Sequence, residues 1–454
     1  MSVPLKIAVV FYNIGPYHHA RLNAAAERGR TVALEWSARE SYPWGRSEIP
    51  ARYEKRTLLP DNINTSPSRA MLRNSMNDVL SDVRPNVLAI NGWNDFGALE
   101  TLWCALRINI PVVVMSESSE QDTQRSRWKE WVKRRIVARY SAALVGGRLH
   151  ADYLQQLGMS AERIFTGYDV VDNAHFASGK ENAENPKIRN SEISGPESAI
   201  SAFQDFRISA SDSPSPPRPG RGIGGEVSIS AISDSQPFSF SAFSPFFLAS
   251  ARFIEKKNLF TLLRAYADYR TAAAESAIRN PQSAIWNLVL LGDGPLRPAL
   301  NSQLSTLNLH PWVQMPGFKQ YDELPAFYAR AGAFVHASTT EQWGLVVNEA
   351  IAAGLPVLVS NRCGCVLELV REGVNGFAFD PENQNELTQL MAKMASLSEG
   401  DRQRLARASR ETASQHEPAR FGEGLRRAAE LAVCLPRKRA GIFDSILLSS
   451  LVRR

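Results

Sequence analysis

Short runs of branched apolar residues alternate with helical stretches along most of this 454-residue chain. Alternation of this kind is typical of parallel β-sheets, because parallel strands are buried on both faces and need a long crossover, usually a helix, between them. Residues 6–12, for example, form an apolar run that predicts a buried strand close to the N-terminus. We therefore predict an α/β chain with parallel, doubly wound sheets.

The predicted strands fall into two groups. The first group comprises residues 6–12, 87–91, 111–115 and 142–145. The second group comprises residues 246–250, 286–291, 312–315, 333–336 and 356–360. A single core rarely serves a chain of this length, so we predict two Rossmann-like domains that face each other across a cleft.

A segment of different composition separates the two groups. Residues 178–245 contain 16 Ser, 8 Pro and 6 Gly, a composition that cannot bury enough apolar surface to offset the entropy of ordering. We predict a disordered linker insert there, between an N-terminal domain (1–177) and a C-terminal domain (246–434). A basic amphipathic tail (435–454) follows.

The most informative motif is Glu-Gln-Trp-Gly-Leu-Val-Val-Asn-Glu-Ala-Ile-Ala-Ala-Gly-Leu-Pro at residues 341–356. It predicts a helix that begins near Gly344 and ends before the Gly-Leu-Pro sequence. Gly344 permits close approach of a ligand, and the amides of Leu345 and Val346 complete an anion site at the helix N-terminus. Glu349 lies about 7.5 Å further along the helix axis, where it can accept hydrogen bonds from vicinal hydroxyls.

Two further loops follow strands of the second group. Arg252 and Lys257 lie after the strand at 246–250 and place cations at the carboxyl edge of the sheet, where a diphosphate leaving group needs them. The loop Gly292-Asp293-Gly294 follows the next strand, and its glycines permit tight backbone approach.

With these motifs the chain resembles the retaining glycosyltransferase family 4, whose fold is GT-B. The resemblance rests on the E-x7-E motif and on four supporting motifs, which are Arg252 with Lys257, the Gly-Asp-Gly-Pro loop, Pro316-Gly317-Phe318 and Gly373-Val374-Asn375-Gly376-Phe377. It implies that Glu341 contacts the transferred sugar and that Glu349 contacts the ribose of the donor. Arg252 and Lys257 would bind the diphosphate. The family needs no metal ion or other cofactor for the transfer.

The first half resembles the acceptor domain of that family more loosely. Gly15 lies in the loop after the first strand, which the family places over the donor phosphates. Many relatives carry a histidine after the strand that corresponds to 111–115, whereas this chain has Glu117. Either Glu117 replaces that histidine, or His18 or His19 lies near the sugar.

The resemblance implies transfer of a sugar from a nucleoside-diphosphate-sugar donor to a saccharide, a lipid-linked or a small-molecule acceptor. Synthesis of bacterial-type cell-surface polysaccharide or glycoconjugate is the expected setting. One alternative is a nucleotide-sugar 2-epimerase, which shares the two-domain architecture. Another is a non-catalytic scaffold that binds sugar nucleotides.

The net charge of +6 is too small to indicate a nucleic-acid partner. Basic residues are concentrated at 125–139, where Trp128 and Trp131 occur at helical spacing. This pattern predicts either the solvated face of a packed helix or a contact with an anionic membrane surface. Four cysteines and the absence of a long apolar run favour a cytoplasmic protein, with peripheral attachment to the inner face of the membrane as the alternative.

Overall fold

The computed structural model describes residues 5–37, 50–59, 68–122, 125–179, 245–279, 285–438 and 441. Most of the predicted insert (178–245) and most of the predicted tail (435–454) lie outside these residues, and the predicted domain limits stay predictions. Both sheets belong to one compact unit of the chain.

The first half forms a parallel sheet, with seven strands in the described part. They are β1 (Lys6–Phe11), β2 (Arg30–Ser37), β3 (Glu54–Leu59), β4 (Val87–Asn91), β5 (Val112–Ser116), β6 (Ala142–Val145) and β7 (Ile164–Thr166). Their order across the sheet is β3-β2-β1-β4-β5-β6-β7. The order changes direction between β1 and β4, and ligands of open α/β sheets bind at such a switch point.

The second half forms another parallel sheet, with six strands in the described part. They are β8 (Phe246–Ser250), β9 (Asn287–Leu291), β10 (Val313–Gly317), β11 (Ala333–His336), β12 (Val357–Ser360) and β13 (Gly376–Phe379). Their order is β10-β9-β8-β11-β12-β13. The direction changes between β8 and β11, so the loops that follow these two strands meet at the carboxyl edge of the sheet.

Helices cover both faces of each sheet, as buried parallel strands require. In the first half they are α1 (Pro16–Ala26), α2 (Arg69–Val83), α3 (Phe96–Arg107), α4 (Arg127–Val137), α5 (Arg148–Gln156) and α6 (Asn173–Ala177). In the rest of the chain they are α7 (Leu259–Arg279), α8 (Arg297–Thr306), α9 (Leu324–Arg330), α10 (Leu345–Ala352), α11 (Val366–Leu369), α12 (Gln384–Ser396), α13 (Glu399–Ser414) and α14 (Pro418–Cys434). The predicted α/β class with two Rossmann-like sheets is confirmed.

The last helix, α14, packs on the first sheet although it follows the second sheet in sequence. Phe421 and Leu425 share a buried cluster with Val9 of β1 and Leu144 of β6. The chain therefore passes from one half to the other twice, once around α6 and again between α13 and α14. The two passages lie side by side. The side chain of Asn173, at the start of α6, donates a hydrogen bond of 2.7 Å to the carbonyl oxygen of residue 413, near the end of α13.

The sequence analysis does not predict four of the observed strands, and three of these lie at sheet edges. β3, β7 and β13 are edge strands, which need not be apolar throughout. The first four residues of β3 are exposed and three of them are charged, so it lacks the buried pattern. β2 lies inside the sheet, but Glu35 interrupts its apolar run. Among the described residues, no helix has the length and apolar character required to span a bilayer.

Candidate functional site

The loop between β11 and α10 places the E-x7-E motif at the switch point of the second sheet. Gly344 ends this loop with φ of 104°, a left-handed conformation that favours glycine, and α10 begins at the next residue. Val347 donates its amide hydrogen to the carbonyl oxygen of Gly344 at 2.8 Å. Within the described chain, the amides of Leu345 and Val346 have no hydrogen-bond acceptor. The predicted helix and its N-terminal amides are therefore in place to receive an anion.

Glu341 lies in a cluster of basic side chains. Its carboxylate forms ion pairs with Lys257, the predicted diphosphate ligand, and with Lys256 at 3.2 Å. His336 at the end of β11 approaches the same carboxylate at 3.7 Å, and Ser338 donates to it at 3.4 Å. The loops after β8 and β11 thus meet as the sheet order requires, and they bring Glu341 and Lys257 together.

The electrostatics of this cluster favour an ionised Glu341. Burial acts to raise the pKa of Glu341, but the contact with His336 and the charges of Lys257 and Lys256 outweigh it and lower the pKa below the usual range. Burial also lowers the pKa of His336, so the imidazole tends to be neutral. A carboxylate balanced by two lysines leaves the site with a net positive charge, which suits a diphosphate.

Arg252 lies in the same loop as Lys257, directly after β8. Its side chain is half-buried and has no ion-pair or hydrogen-bond partner among the described residues. The structure does not join it to Glu341. Arg252 is therefore available to an anion at the carboxyl edge of the sheet.

The Gly-Asp-Gly loop holds the Arg252 loop in position by backbone contacts. Gly292 has φ of 127°, and a Cβ atom there would lie 2.0 Å from the carbonyl oxygen of residue 251. A Cβ atom on Gly294 would lie 2.6 Å from the carbonyl oxygen of Phe253, whose amide donates to Asp293 at 2.8 Å. In the structure these glycines permit the close approach of a neighbouring loop, and their contact with a donor stays a prediction.

Glu349 lies on the buried face of α10 and is only 1% exposed. The hydroxyl of Tyr17, from α1 of the first half, donates to its Oε1 at 2.7 Å. The hydroxyl of Tyr328, from α9, donates to its Oε2 at 2.6 Å. Burial raises the pKa of Glu349 to about 7, although both hydrogen bonds act to lower it.

The predicted residues of the first half lie in separate surroundings. His18 packs on Phe11 with ring centroids 4.3 Å apart and accepts a hydrogen bond from the amide of Gly15 at 3.2 Å. Burial lowers the pKa of His18 to about 3, so this histidine is neutral. His19 is buried and contacts the hydroxyl of Tyr53 at 2.9 Å. The structure ties neither histidine to Glu341.

Glu117 follows β5 as predicted and faces a buried acidic neighbour. Asp169 is 1% exposed, and Arg21 is its ion-pair partner at 3.6 Å. Burial, and next the charge of Glu117, raise the pKa of Asp169 well above its usual range. Glu117 thus belongs to an acidic pair beside Arg21.

Four contacts of the site are missing from the sequence interpretation. They are made by Tyr17, Tyr328, Lys256 and His336. A buried glutamate on an apolar helix does signal that hydrogen-bond donors must lie nearby, since an unsatisfied buried carboxyl group is costly. The sequence does not say which tyrosines supply them. Among the described residues no three His, Cys, Asp or Glu side chains are grouped as metal ligands.

Solved structures with the same architecture include glycosyltransferases. The structure of HepE from Anabaena in complex with UDP and glucose matches 93% of this chain and 98% of that chain, with a TM-score of 0.59 and 16% identity. A glycosyltransferase from Rickettsia africae matches 94% of this chain and 98% of its own, with a TM-score of 0.62 and 11% identity. At these identities the likeness shows the fold, which is GT-B.

A family model matches part of the sequence. Residues 234–412, less than half of the chain, match the family model Glycosyl transferases group 1. The alpha-monoglucosyldiacylglycerol synthase of Acholeplasma laidlawii is 31% identical over 137 residues, or 30% of this chain and 31% of the relative. A probable sucrose-phosphate synthase of Oryza sativa subsp. japonica is 31% identical over 159 residues, or 34% of this chain and 15% of the relative. The chain thus matches less than a third of either relative, and the resemblance that the E-x7-E motif indicated is confirmed.

Substitution of Gly292 by alanine should destabilise the protein, because the new Cβ atom would collide with the backbone of residue 251. We expect a loss of roughly 2–4 kcal/mol in the free energy of unfolding, from backbone strain and overpacking together. Gly158→Ala is the matched control, since Gly158 has φ of 97° with nothing within 4 Å of its Cβ position. Urea denaturation of both variants measures the difference, and equal losses would contradict the assigned role of the glycine loop.

The raised pKa of Glu349 should make stability depend on pH. The unfolded carboxyl group ionises near 4.5, whereas the folded one keeps its proton up to about 7. The contribution of Glu349 to the free energy of unfolding is therefore present below about pH 4.5 and is lost as the pH rises to about 7 and above. We expect wild type to lose about 3 kcal/mol more than Glu349→Gln between pH 4 and pH 8. Chemical denaturation at several pH values measures this loss, with Glu382→Gln, at a side chain 74% exposed, as control; parallel curves for wild type and Glu349→Gln would refute the prediction.

Proposed function

We propose that the protein is a retaining glycosyltransferase that transfers a sugar from a nucleoside-diphosphate-sugar donor to an acceptor hydroxyl. The observation that carries this proposal is the contact of Glu341 with Lys257 beside the N-terminus of α10. Two loops from separate strands place a carboxylate, a cation and backbone amides at the switch point of one sheet. This combination suits a ligand with an anionic diphosphate and a hydroxyl-rich sugar.

The donor would lie along the carboxyl edge of the second sheet. Its diphosphate would contact the amides at the start of α10, together with Arg252 and Lys257. Glu349, further along the helix, would accept hydrogen bonds from the ribose hydroxyls. Glu341 would orient the sugar, and donor binding would draw Lys257 from this carboxylate towards the diphosphate. These roles follow the family resemblance and are compatible with where the side chains lie.

The reaction then needs charge stabilisation more than a strong protein base. The bond between the anomeric carbon and the diphosphate oxygen breaks, and Arg252, Lys257 and the helix amides stabilise the negative charge that develops. The acceptor hydroxyl attacks from the face that the leaving group vacates, which retains the anomeric configuration. A phosphate oxygen of the leaving group takes the hydroxyl proton. Two positive side chains and a helix N-terminus would take the place of a metal ion.

The relatives suggest which substrates to test first. The HepE structure contains UDP and glucose, and one relative is named alpha-monoglucosyldiacylglycerol synthase. We infer a uridine-diphosphate sugar as the first donor to try and a lipid-linked or saccharide acceptor as its partner. Assembly of a bacterial-type cell-surface glycoconjugate is the setting that these substrates fit.

Replacement of Lys257 by alanine should lower turnover by about two orders of magnitude or more, since loss of one preorganised electrostatic partner costs about 2.7–4 kcal/mol in the transition state. Turnover is measured by release of UDP from UDP-sugars in the presence of an acceptor panel. Arg404→Ala is the matched control, because Arg404 is an exposed basic residue of α13. Near-normal turnover of the folded Lys257 variant would contradict the proposal.

Two rival functions give different results in the same assay. A nucleotide-sugar 2-epimerase would convert the donor to its epimer when no acceptor is present. A non-catalytic scaffold would bind the donor without hydrolysis or transfer to any acceptor tested. A new glycosidic bond formed only when the acceptor is added supports the transferase.

We further propose that α4 docks the protein on the surface of an anionic membrane, on its cytoplasmic side. Trp128 is 65% exposed and stacks on Trp131 with ring centroids 4.9 Å apart. Val132, one turn further along the helix, is buried in the core of the first half. Arg134 and Arg135 are exposed on the same helix. An exposed tryptophan among cations suits the interface of an anionic bilayer.

The start of the C-terminal tail adds to this basic surface. Burial, together with the charges of Arg163 and of Arg139, which follows α4, lowers the pKa of Lys438 at the start of the tail. The two basic segments of the sequence, 125–139 and the beginning of 435–454, therefore approach each other in the fold. Like charges gathered in this way attract anionic lipid more strongly than scattered ones.

Neutralisation of two α4 arginines should weaken membrane binding. We expect Arg134→Gln/Arg135→Gln to pellet several-fold less with vesicles that contain anionic lipid, at about 1 kcal/mol per basic residue near the surface. Arg404→Gln/Arg407→Gln is the matched control, because it removes the same charge from exposed positions of α13. Equal pelleting of the two double variants, or equal pelleting with neutral vesicles, would contradict the proposal.

A further inference from the structure

Tyr17 connects the two halves of the protein at the proposed donor site. It is the second residue of α1, directly after the loop that follows β1. Its hydroxyl donates to Glu349 on α10, a residue 332 positions further along the chain. A side chain of the predicted acceptor half is therefore bonded to the carboxyl group proposed to bind the donor ribose.

Glu349 offers no exposed surface to a ribose in this arrangement. Its side chain is 1% exposed, and each carboxyl oxygen accepts a tyrosine hydroxyl. A ribose that donates two vicinal hydroxyls to this carboxyl group has to displace at least one of them. The surroundings of Tyr17 and Tyr328 indicate which of the two hydroxyls a ribose can displace from Glu349.

Tyr328 is fixed by its surroundings. It is fully buried in the second half, and its ring packs against Phe334 of β11 and against Phe176, each with ring centroids 5.7 Å apart. Removal of Tyr328 would disrupt a packed aromatic cluster. Tyr328 therefore serves as the permanent hydrogen-bond donor that orients Glu349.

Tyr17 reaches the same carboxyl group from the other half. Its ring meets Tyr321 edge-on, with centroids 5.5 Å apart, at the border between the halves. A tyrosine hydroxyl and a ribose hydroxyl offer the carboxyl group the same chemistry, one O–H donor at hydrogen-bonding distance. Because an unsatisfied buried carboxyl group is costly, one of the two donors must be present at all times.

We propose that Tyr17 occupies the ribose contact of Glu349 in the unliganded protein and is displaced by the donor. This inference rests on the proposed function, in which Glu349 binds the ribose. Tyr17 then acts as an internal competitor that lowers donor affinity. Its displacement also breaks a bond between the halves and releases the start of α1 on the acceptor side.

The test is the affinity for UDP, measured by titration calorimetry on the full chain. Tyr17→Phe removes the hydroxyl and keeps the ring, so the competitor is lost and UDP should bind about tenfold more tightly, the change expected for one hydrogen bond. Tyr12→Phe is the matched control at a tyrosine 51% exposed, with unchanged affinity expected. Tyr328→Phe should weaken UDP binding, because it removes the donor that orients Glu349.

The outcomes separate this inference from the proposed function. If wild type binds UDP and Tyr17→Phe binds it equally or more weakly, Tyr17 is a positioning residue or irrelevant, and the inference is wrong while the function stands. If neither protein binds UDP, GDP or ADP, the proposed function fails and the inference fails with it. If Tyr17→Phe does not fold, Tyr17→Leu replaces it with the same expectation. Circular dichroism and thermal unfolding establish folding before the titrations.

Discussion

A carboxyl group removed from water must receive hydrogen bonds, and the arrangement around Glu349 follows from that requirement. The residue lies on a buried apolar helix, so its hydrogen-bond donors have to come from neighbouring elements. Tyr328 comes from the same half and Tyr17 from the other. One buried group therefore couples the packing of the second sheet to the position of α1. A glutamate at the surface would be solvated by water and would impose no such coupling.

The second constraint is the order of the strands. Because β8 and β11 are neighbours at the point where the sheet changes direction, the loops that follow them share one edge. That edge brings together Glu341, Lys256 and Lys257, whose charges partly balance one another. The glycines after β9 hold the adjacent Arg252 loop from the other side through backbone contacts. The strand order determines where these loops meet, and their charged side chains determine which ligands they can bind.

Sequence patterns predict those helices and strands whose conformation depends on residues close together in the chain. The helix at 345–352 and most of the interior apolar strands follow from residue spacing, and the structure contains them. Edge strands such as β3 escape because partial burial removes the apolar signal. The partners of Glu349 escape for a different reason. Tyr17 and Tyr328 are distant from Glu349 in the sequence, and the tertiary structure determines which tyrosines contact it. Lys256, whose contact with Glu341 depends on a turn in the β8 loop, escapes in the same way.

The path of the chain at α6 and between α13 and α14 has a mechanical consequence. Two backbone segments cross between the halves next to each other, and the side chain of Asn173 ties one to the other. A pair of adjacent covalent connections resists sliding and separation but permits rotation about the line on which both lie. A movement of the halves relative to each other would then be a rotation about that line. Tyr17 lies near the crossings, because its ring meets Tyr321, and Tyr321 stacks on His175 of α6 with ring centroids 4.1 Å apart. Tyr17 and the packing beside the crossings would therefore move little in such a rotation, whereas residues far from α6 would travel furthest.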